Sequence, residues 1–352
     1  MNAGSKEKTS IVIAGDFRYN STALGLANGF RSLGWSVREV ALSRSSGQES
    51  KIERIVRRAL RPFIVRRYNN DIISTVIASR PHLFLTVKGS FISPATLKVI
   101  AEDCVPAVNY FPDCRMSYPG FDESILCGYD RIFTTKSFHV DYLKDRLGPD
   151  KVQFLHHGYM TGVHAPPDLS APLFNTDILY IGNHSLEKES WLFSVKRRFP
   201  RLRIKIFGNR WQNAHCSTIL GESVTGGPVY GRDYAAAIHS AKINLGIHMG
   251  ITDSSGWYDR VSTRTFEIPA CKGFMLHVDN EEVRQLFVPG VEIDVFKNIE
   301  ELFEKIEYYL VRDDIRREMV ERAYNRCVPA YSYDARARVI ADWLLSEKMA
   351  VQ

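Results

Sequence analysis

At 352 residues the chain is longer than one hydrophobic core ordinarily sustains, which makes two domains the expectation. Apolar residues at 45% and charged residues at 24% exclude a disordered or low-complexity chain, since there is enough apolar surface to offset the entropy of ordering. The formal net charge of +6 is mild and mostly local, arising from Lys51, Arg54, Arg57, Arg58, Arg61, Arg66 and Arg67, with Glu53 the one acid among them. The six cysteines are scattered without Cys-x-x-Cys or His-x-x-x-His spacing, so no metal site is expected. No apolar stretch reaches the roughly 18 residues that span a bilayer and no signal segment opens the chain. The expected place is a reducing cytoplasm, with peripheral contact to an anionic membrane surface through Lys51–Arg67 as an option.

In chain order the sequence alternates strand and helix. Ile11–Ala14 is a short apolar run broken by Gly15-Asp16, and Ser21-Thr22 can cap a helix that runs to Leu33. Ser36–Leu42 alternates as a strand, and residues 52–80 read as a helix with Ile52, Ile55, Val56, Ala59 and Phe63 on an apolar face and the arginines opposite. Leu83–Val87 is a buried-strand run, Ser93-Pro94 opens a helix, and Pro106–Phe111, Arg131–Thr135 and Val152–Leu155 are strands around a helix at Ser137–Leu147. Composition shifts at Gly158–Pro172, read as an interdomain linker. Strands then follow at Asp177–Ile181, Leu202–Phe207, Ile243–Ile247 and Phe274–Val278. Helices are expected at Leu186–Phe199, Gly231–Ala241, Thr263–Ala270, Glu300–Tyr309 and Asp313–Cys327. This rhythm implies α/β architecture: two Rossmann-like domains with parallel sheets and ligand loops at the strand C-termini. The expected divisions are an acceptor domain over 1–165, a donor domain over 170–330 and a C-terminal segment over 331–352 that crosses back to the first domain.

One block is specific. Arg264-Thr-Phe-Glu-Ile-Pro-Ala-Cys-Lys-Gly-Phe274, an apolar strand, and then Val283-Arg-Gln-Leu-Phe-Val-Pro-Gly-Val-Glu292 resemble the donor-site block of group-one glycosyltransferases, in particular the CgeB-like branch. Val87-Lys-Gly89, Asn109-Tyr-Phe-Pro-Asp113, Phe133-Thr-Thr135 and His156-His-Gly158 fall in the order that branch uses. The resemblance implies the GT-B fold, two facing Rossmann-like domains, and a retaining transfer from a nucleotide diphosphate sugar.

The residues support that chemistry on their own terms. A nucleotide diphosphate requires positive charge or helix N-termini for its phosphates and an acceptor for its ribose hydroxyls. Gly182 ends a strand and opens a loop to a helix, and Lys188, six residues on, matches the lysine of the family's Gly-Arg-Leu-x-x-x-Lys loop, with Asn183 in place of its arginine. Gly208 and Arg210 follow the next strand, and Tyr230 precedes a helix; all three join the donor-binding set. Arg264 and Thr265 stand at a helix start, suited to a diphosphate. Glu267, one turn in, is where the family's glutamate meets the ribose diol; it is expected to be exposed, so that its removal would leave the fold intact. Asp259 echoes the first acid of the family's Glu-x7-Glu spacing. Asp16 and Asp113, at strand C-termini, are candidates for contacting the acceptor or removing its proton.

Ordinary structural roles stand beside each of these. Glu267 can be a helix cap, Arg264 a surface ion-pair former, Lys188 a solvent-facing charge beside Glu187 and Glu189, Gly182 and Gly208 strand-end turns, and Asp16 and Asp113 turn residues. Of the adjacent His156 and His157, at most one can face a given site, and neither is expected to bind metal. The expected activity is metal-independent glycosyl transfer without a cofactor, from a nucleotide sugar to a glycan, lipid or protein hydroxyl. A non-catalytic nucleotide-sugar or polyanion-binding protein and an epimerase on the same architecture are the alternatives. Nucleic-acid binding is not expected, because no reading motif accompanies the basic segment.

Overall fold

The computed structural model describes residues 8–42, 60–167, 175–248, 250 and 255–350. The chain forms two compact units, Met1–His157 with Tyr333–Gln352, and Gly158–Ser332. The first division falls at His157 because the segment that follows is tied into the second unit: the Tyr159 amide donates to the Tyr331 carbonyl at 3.2 Å.

The first unit is built on β1 (Ser10–Gly15), β2 (Ser36–Ala41), β3 (Leu83–Val87), β4 (Ala107–Phe111), β7 (Arg131–Thr134) and β8 (Val152–Phe154), in the spatial order β2-β1-β3-β4-β7-β8. Every neighbouring pair in this sheet is parallel. A two-stranded antiparallel ribbon, β5 (Ser117–Tyr118) and β6 (Phe121–Asp122), which the sequence reading did not include, sits between β4 and β7 in the chain. Helix α1 (Thr22–Ser32) starts where Ser21 accepts from the Leu24 amide, and α3 (Pro94–Glu102) where Ser93 accepts from the Thr96 amide. Helix α4 (Phe138–Leu147) follows β7.

Helix α2 (Arg61–Ser79) requires a correction. It buries Tyr68, Asn69, Ile72 and Val76, whereas Phe63, assigned to the apolar face, is 69% exposed. Ile52, Ile55, Val56 and Ala59, together with Lys51, Arg54, Arg57 and Arg58, lie outside the described residues.

The C-terminal helix, Tyr333–Ala350, belongs to this first unit and lies against α1. Its seat is a pair of glycines. A Cβ at Gly25 would stand 2.3 Å from the Tyr333 ring, and one at Gly29 would stand 2.6 Å from the Tyr333 carbonyl oxygen. Only glycine lets the helices approach this closely.

The second unit carries β9 (Thr176–Ile181), β10 (Ile204–Phe207), β11 (Ala241–Gly246), β12 (Met275–Val278) and β13 (Asp294–Phe296), ordered β10-β9-β11-β12-β13 and parallel throughout. Its connecting helices include α5 (Leu186–Arg198), α6 (Ser217–Leu220), α7 (Gly231–Ser240), α8 (Arg264–Ala270), α9 (Glu281–Leu286), α10 (Ile299–Leu310) and α11 (Asp313–Cys327). In each unit the strand order reverses once, between β1 and β3 and between β9 and β11, and open α/β sheets bind ligands outside the carboxyl ends at such a point. Among the described residues no helix is long and apolar enough to cross a membrane.

Candidate functional site

In the second unit the loop after β9 lies at the reversal point. Gly182 is held there by two hydrogen bonds: its amide donates to the Phe207 carbonyl at 2.8 Å, and its carbonyl accepts from Trp211 Nε1 at 2.8 Å while facing Gly208. A Cβ on Gly208, whose φ is +145°, would stand 2.0 Å from the Gly182 oxygen. The two glycines therefore allow the loops after β9 and β10 to meet backbone to backbone. Asn183 completes the joint, its Oδ1 accepting from the Asn209 amide at 3.0 Å and from Asn209 Nδ2 at 3.1 Å. Its side chain is committed to the loop.

Three cations converge on this loop. Lys188 is only 8% exposed, so the solvent-facing alternative is excluded; its Nζ donates to the Asn183 carbonyl at 3.2 Å. Burial first, and the Arg264 charge second, hold its ammonium down to about 8, with Arg210 acting in the same direction and Asp259 and Glu187 opposing. Arg264 lies against Gly182: a Cβ there would meet Arg264 Nη1 at 2.8 Å and the Tyr180 hydroxyl at 2.5 Å. The guanidinium carbon stands 5.5 Å over the Tyr180 ring, and Nη2 donates to the Ile247 carbonyl at 3.0 Å. Arg264 Nε is buried without an acceptor among the described residues. Like charges held together against burial form a site that an anion relieves. Arg210, in the left-handed region at φ 67°, is exposed beside them, and Tyr230 is 46% exposed.

Glu267 is corrected. It is 5% exposed, not open to solvent, because its helix packs against β11, β12 and α11 and turns the carboxylate inward. Oε2 accepts from the buried Tyr234 hydroxyl at 2.5 Å, and Oε1 stands 3.8 Å from Nε2 of the buried His164. Burial, with the Glu267 charge second, pushes the Tyr234 phenol well up, while burial outweighs that same charge and lowers His164. His164 is fixed by accepting the Met160 amide at 3.0 Å on Nδ1.

Thr265 is fully buried, and its Oγ1 accepts from the Ser262 amide at 3.2 Å and bonds His277 Nε2 at 3.1 Å. His277 Nδ1 faces the Val278 carbonyl at 2.7 Å, so that nitrogen carries the proton and Nε2 is the acceptor, with His248 Nε2 also 2.7 Å away. Burial holds His277 down to about 4. The hydroxyl of Thr265 is thus engaged within the fold.

Lys272 has φ +53°, in the left-handed region that favours glycine, and its Nζ pairs with Glu321 at 2.7 Å. Tyr180, Trp211, Tyr234, His164 and the His248–His277 pair escaped the sequence reading. Apolar runs hide the aromatics, and His164 sits in a stretch that read as linker.

In the first unit, the loop after β1 carries Asp16 and the loops after β3 and β4 carry Lys88 and Asp113. Asp16 grips Arg18 Nε at 2.8 Å, and Asp113 pairs with Lys88 at 2.8 Å. Partial burial would raise Asp16, but hydrogen bonds and charge from Arg18, helped by Lys88, outweigh it and hold the carboxyl below its usual range. Asp16 thus stands as a hydrogen-bond acceptor held by Arg18. His157 is buried, bonded to Thr135 Oγ1 at 3.1 Å, and lowered by burial, then by Lys136. Among the described residues no group of His, Cys, Asp and Glu is disposed to hold a metal ion.

Comparison with known proteins agrees with this architecture. Residues 187–342 match the model of a family described as glycosyl transferase-like. No curated protein sequence matches. A glycosyltransferase from Rickettsia africae ESF-5 is similar at TM-score 0.67 and 12% identity, over 96% of this chain and 98% of that one. Sucrose-phosphate synthase from Thermosynechococcus elongatus is similar at TM-score 0.68 and 12% identity, over 98% and 100%. The HepE protein of Anabaena, solved with UDP and glucose, is similar at TM-score 0.65 and 11% identity, over 96% and 100%. A putative UDP-N-acetylglucosamine 2-epimerase from Listeria monocytogenes shares the fold at TM-score 0.59 and 12% identity, over 97% of each chain. The chain has the GT-B fold of glycosyltransferases and of epimerases built on the same plan, and its C-terminal part carries a glycosyl transferase-like sequence.

Proposed function

We propose that the protein is a glycosyltransferase that takes its sugar from a nucleotide diphosphate donor bound by the second unit. The observation that carries this reading is the gathering of Lys188, Arg264 and Arg210 around the Gly182 backbone at the sheet's reversal point. The glycosyl transferase-like match over residues 187–342 covers the same groups, and HepE of Anabaena, a neighbour in fold, was solved with UDP.

In the reaction the bond between the sugar's anomeric carbon and the phosphate oxygen breaks, the acceptor oxygen bonds to that carbon, and the acceptor loses its proton. Charge grows on the departing diphosphate. Lys188 and Arg264, preorganised by the Asn183 and Ile247 carbonyls, stabilise it without reorganisation. Because they carry the charge that a divalent cation carries in metal-dependent transferases, the proposed reaction needs neither metal nor cofactor. Retention of configuration, a hexosyl donor and the CgeB-like assignment follow from the sequence resemblance. Glu267, within the buried Tyr234–Glu267–His164 set, is proposed as the residue that the donor's ribose reaches, and Asp259 as the acid that supports Lys188. Asp113 remains the first-unit candidate for contacting the acceptor, a glycan, lipid or protein hydroxyl.

The test is turnover of a panel of radiolabelled nucleotide sugars by the full chain, with products analysed with and without added glycan acceptors. Transfer or acceptor-independent donor hydrolysis that falls at least tenfold in Lys188→Met supports the proposal; binding with no bond cleavage favours a non-catalytic binding protein. A donor converted to its epimer without acceptor favours the second reading, an epimerase, which the Listeria neighbour motivates.

A further inference from the structure

We propose that the N-terminal end of helix α2 docks on an anionic lipid bilayer. Its first residues present Leu60, 52% exposed, and Phe63, 69% exposed, on a surface that also carries the exposed Arg61, Arg66 and Arg67. The opposite face of the same helix, Tyr68, Asn69, Ile72 and Val76, is buried in the first unit, so the outward apolar groups are not core residues awaiting a partner within the helix's own packing. No acid lies in the first turn, and Asp71, 3.7 Å from Arg67, is the first on the helix.

The arrangement matches the chemistry of a headgroup layer. Leu60 and Phe63 supply apolar tips that enter the acyl boundary, while the neighbouring Arg61, Arg66 and Arg67 meet lipid phosphates, each gaining from the negative surface potential. The Arg61 guanidinium carbon stands 4.7 Å over the Phe91 ring, a contact that leaves its N–H groups able to meet a phosphate. A nucleic acid would use the same cations but would gain nothing from an exposed Leu60, and a second stacking ring is not among the exposed residues of this end.

Flotation of the full chain with vesicles of phosphatidylcholine alone, and of phosphatidylcholine with about 30% phosphatidylglycerol, tests this at low and high salt. The expected result is recovery with the anionic vesicles only, lost at high salt. Arg61→Glu, Arg66→Glu and Arg67→Glu together should lower the vesicle partition coefficient at least about tenfold, since three cations each favour the surface. Phe63→Ser should lower it severalfold with all charges kept, and because Phe63 is exposed this variant should melt with the wild type. The proposal is overturned if anionic vesicles leave the protein unbound, if the arginine reversals or Phe63→Ser leave binding unchanged, or if duplex DNA displaces the protein from vesicles at equal phosphate concentration.

Discussion

Removing the Glu267 side chain should destabilise the second unit measurably, because the carboxylate is structural before it is anything else. In Glu267→Ala the Tyr234 hydroxyl, on a residue 4% exposed, loses its acceptor, and His164 loses the charge it faces at 3.8 Å. An orphaned buried donor costs about 1–3 kcal/mol, the small cavity adds roughly 1 kcal/mol, and relief of the carboxylate's own desolvation offsets part of this. A net loss of about 2–3 kcal/mol lowers the melting temperature of a unit this size by about 4–12 °C. Scanning calorimetry with the nucleotide absent measures this directly. Glu267→Gln keeps a carbonyl acceptor for Tyr234 and should stay within about 1 kcal/mol of the wild type. The double change Glu267→Ala with Tyr234→Phe should be less damaging than the sum of the two singles by about 1 kcal/mol or more, since it leaves no orphaned hydroxyl. A Glu267→Ala protein that melts with the wild type would refute the reasoning. In turn, Glu267→Gln with normal stability but weakened nucleotide affinity would separate the proposed ribose contact from the role in the fold.

Other consequences follow from the same geometry. A bound diphosphate restores the proton that burial and Arg264 loosen on Lys188, so UDP affinity should be full below pH 8 and fall about tenfold between pH 7 and pH 9, a dependence that Lys188→Met should abolish in a calorimetric pH series. Gly208→Ala drives a Cβ to 2.0 Å from the Gly182 oxygen at a backbone angle that L side chains rarely adopt, and should cost about 2–4 kcal/mol in urea unfolding, whereas Gly221→Ala, with open space around it, should cost under about 1 kcal/mol. Gly25→Val should push Tyr333 off α1, seen as a loss of about 2 kcal/mol or more from the first unit.

Much of the fold was legible because buried parallel strands are written as unbroken apolar runs. Leu83–Val87 and Asp313–Cys327 match their elements to the residue, and Ser21 and Ser93 announce their helices through the cap bonds they make. The short β5–β6 ribbon, β13 and α9 were missed, being too brief for periodicity to speak. Phe63 misled because a hydrophobic residue on a helix was taken to face a core, and nothing local to it distinguishes a core from another surface. Lys188 and Arg264 were singled out by the resemblance of their surrounding sequence to a donor-site pattern, but their burial and mutual repulsion depend on β9 and β11 being neighbours, a contact across sequence. The burial of Glu267 and Thr265 was hidden for the same reason: their helix was legible, but not the packing that turns both side chains inward.

Titration calorimetry of UDP into the full chain, beside the Lys188→Met, Arg264→Met double variant and both checked for unchanged secondary structure by circular dichroism, tests the central claim most directly. The account predicts binding by the wild type in the presence of EDTA and a dissociation constant raised at least about a hundredfold, some 2.7 kcal/mol, in the double variant. Binding of UDP that is indifferent to both substitutions, or no binding of UDP, ADP or GDP at about 1 mM, a free energy near 4 kcal/mol, would contradict it.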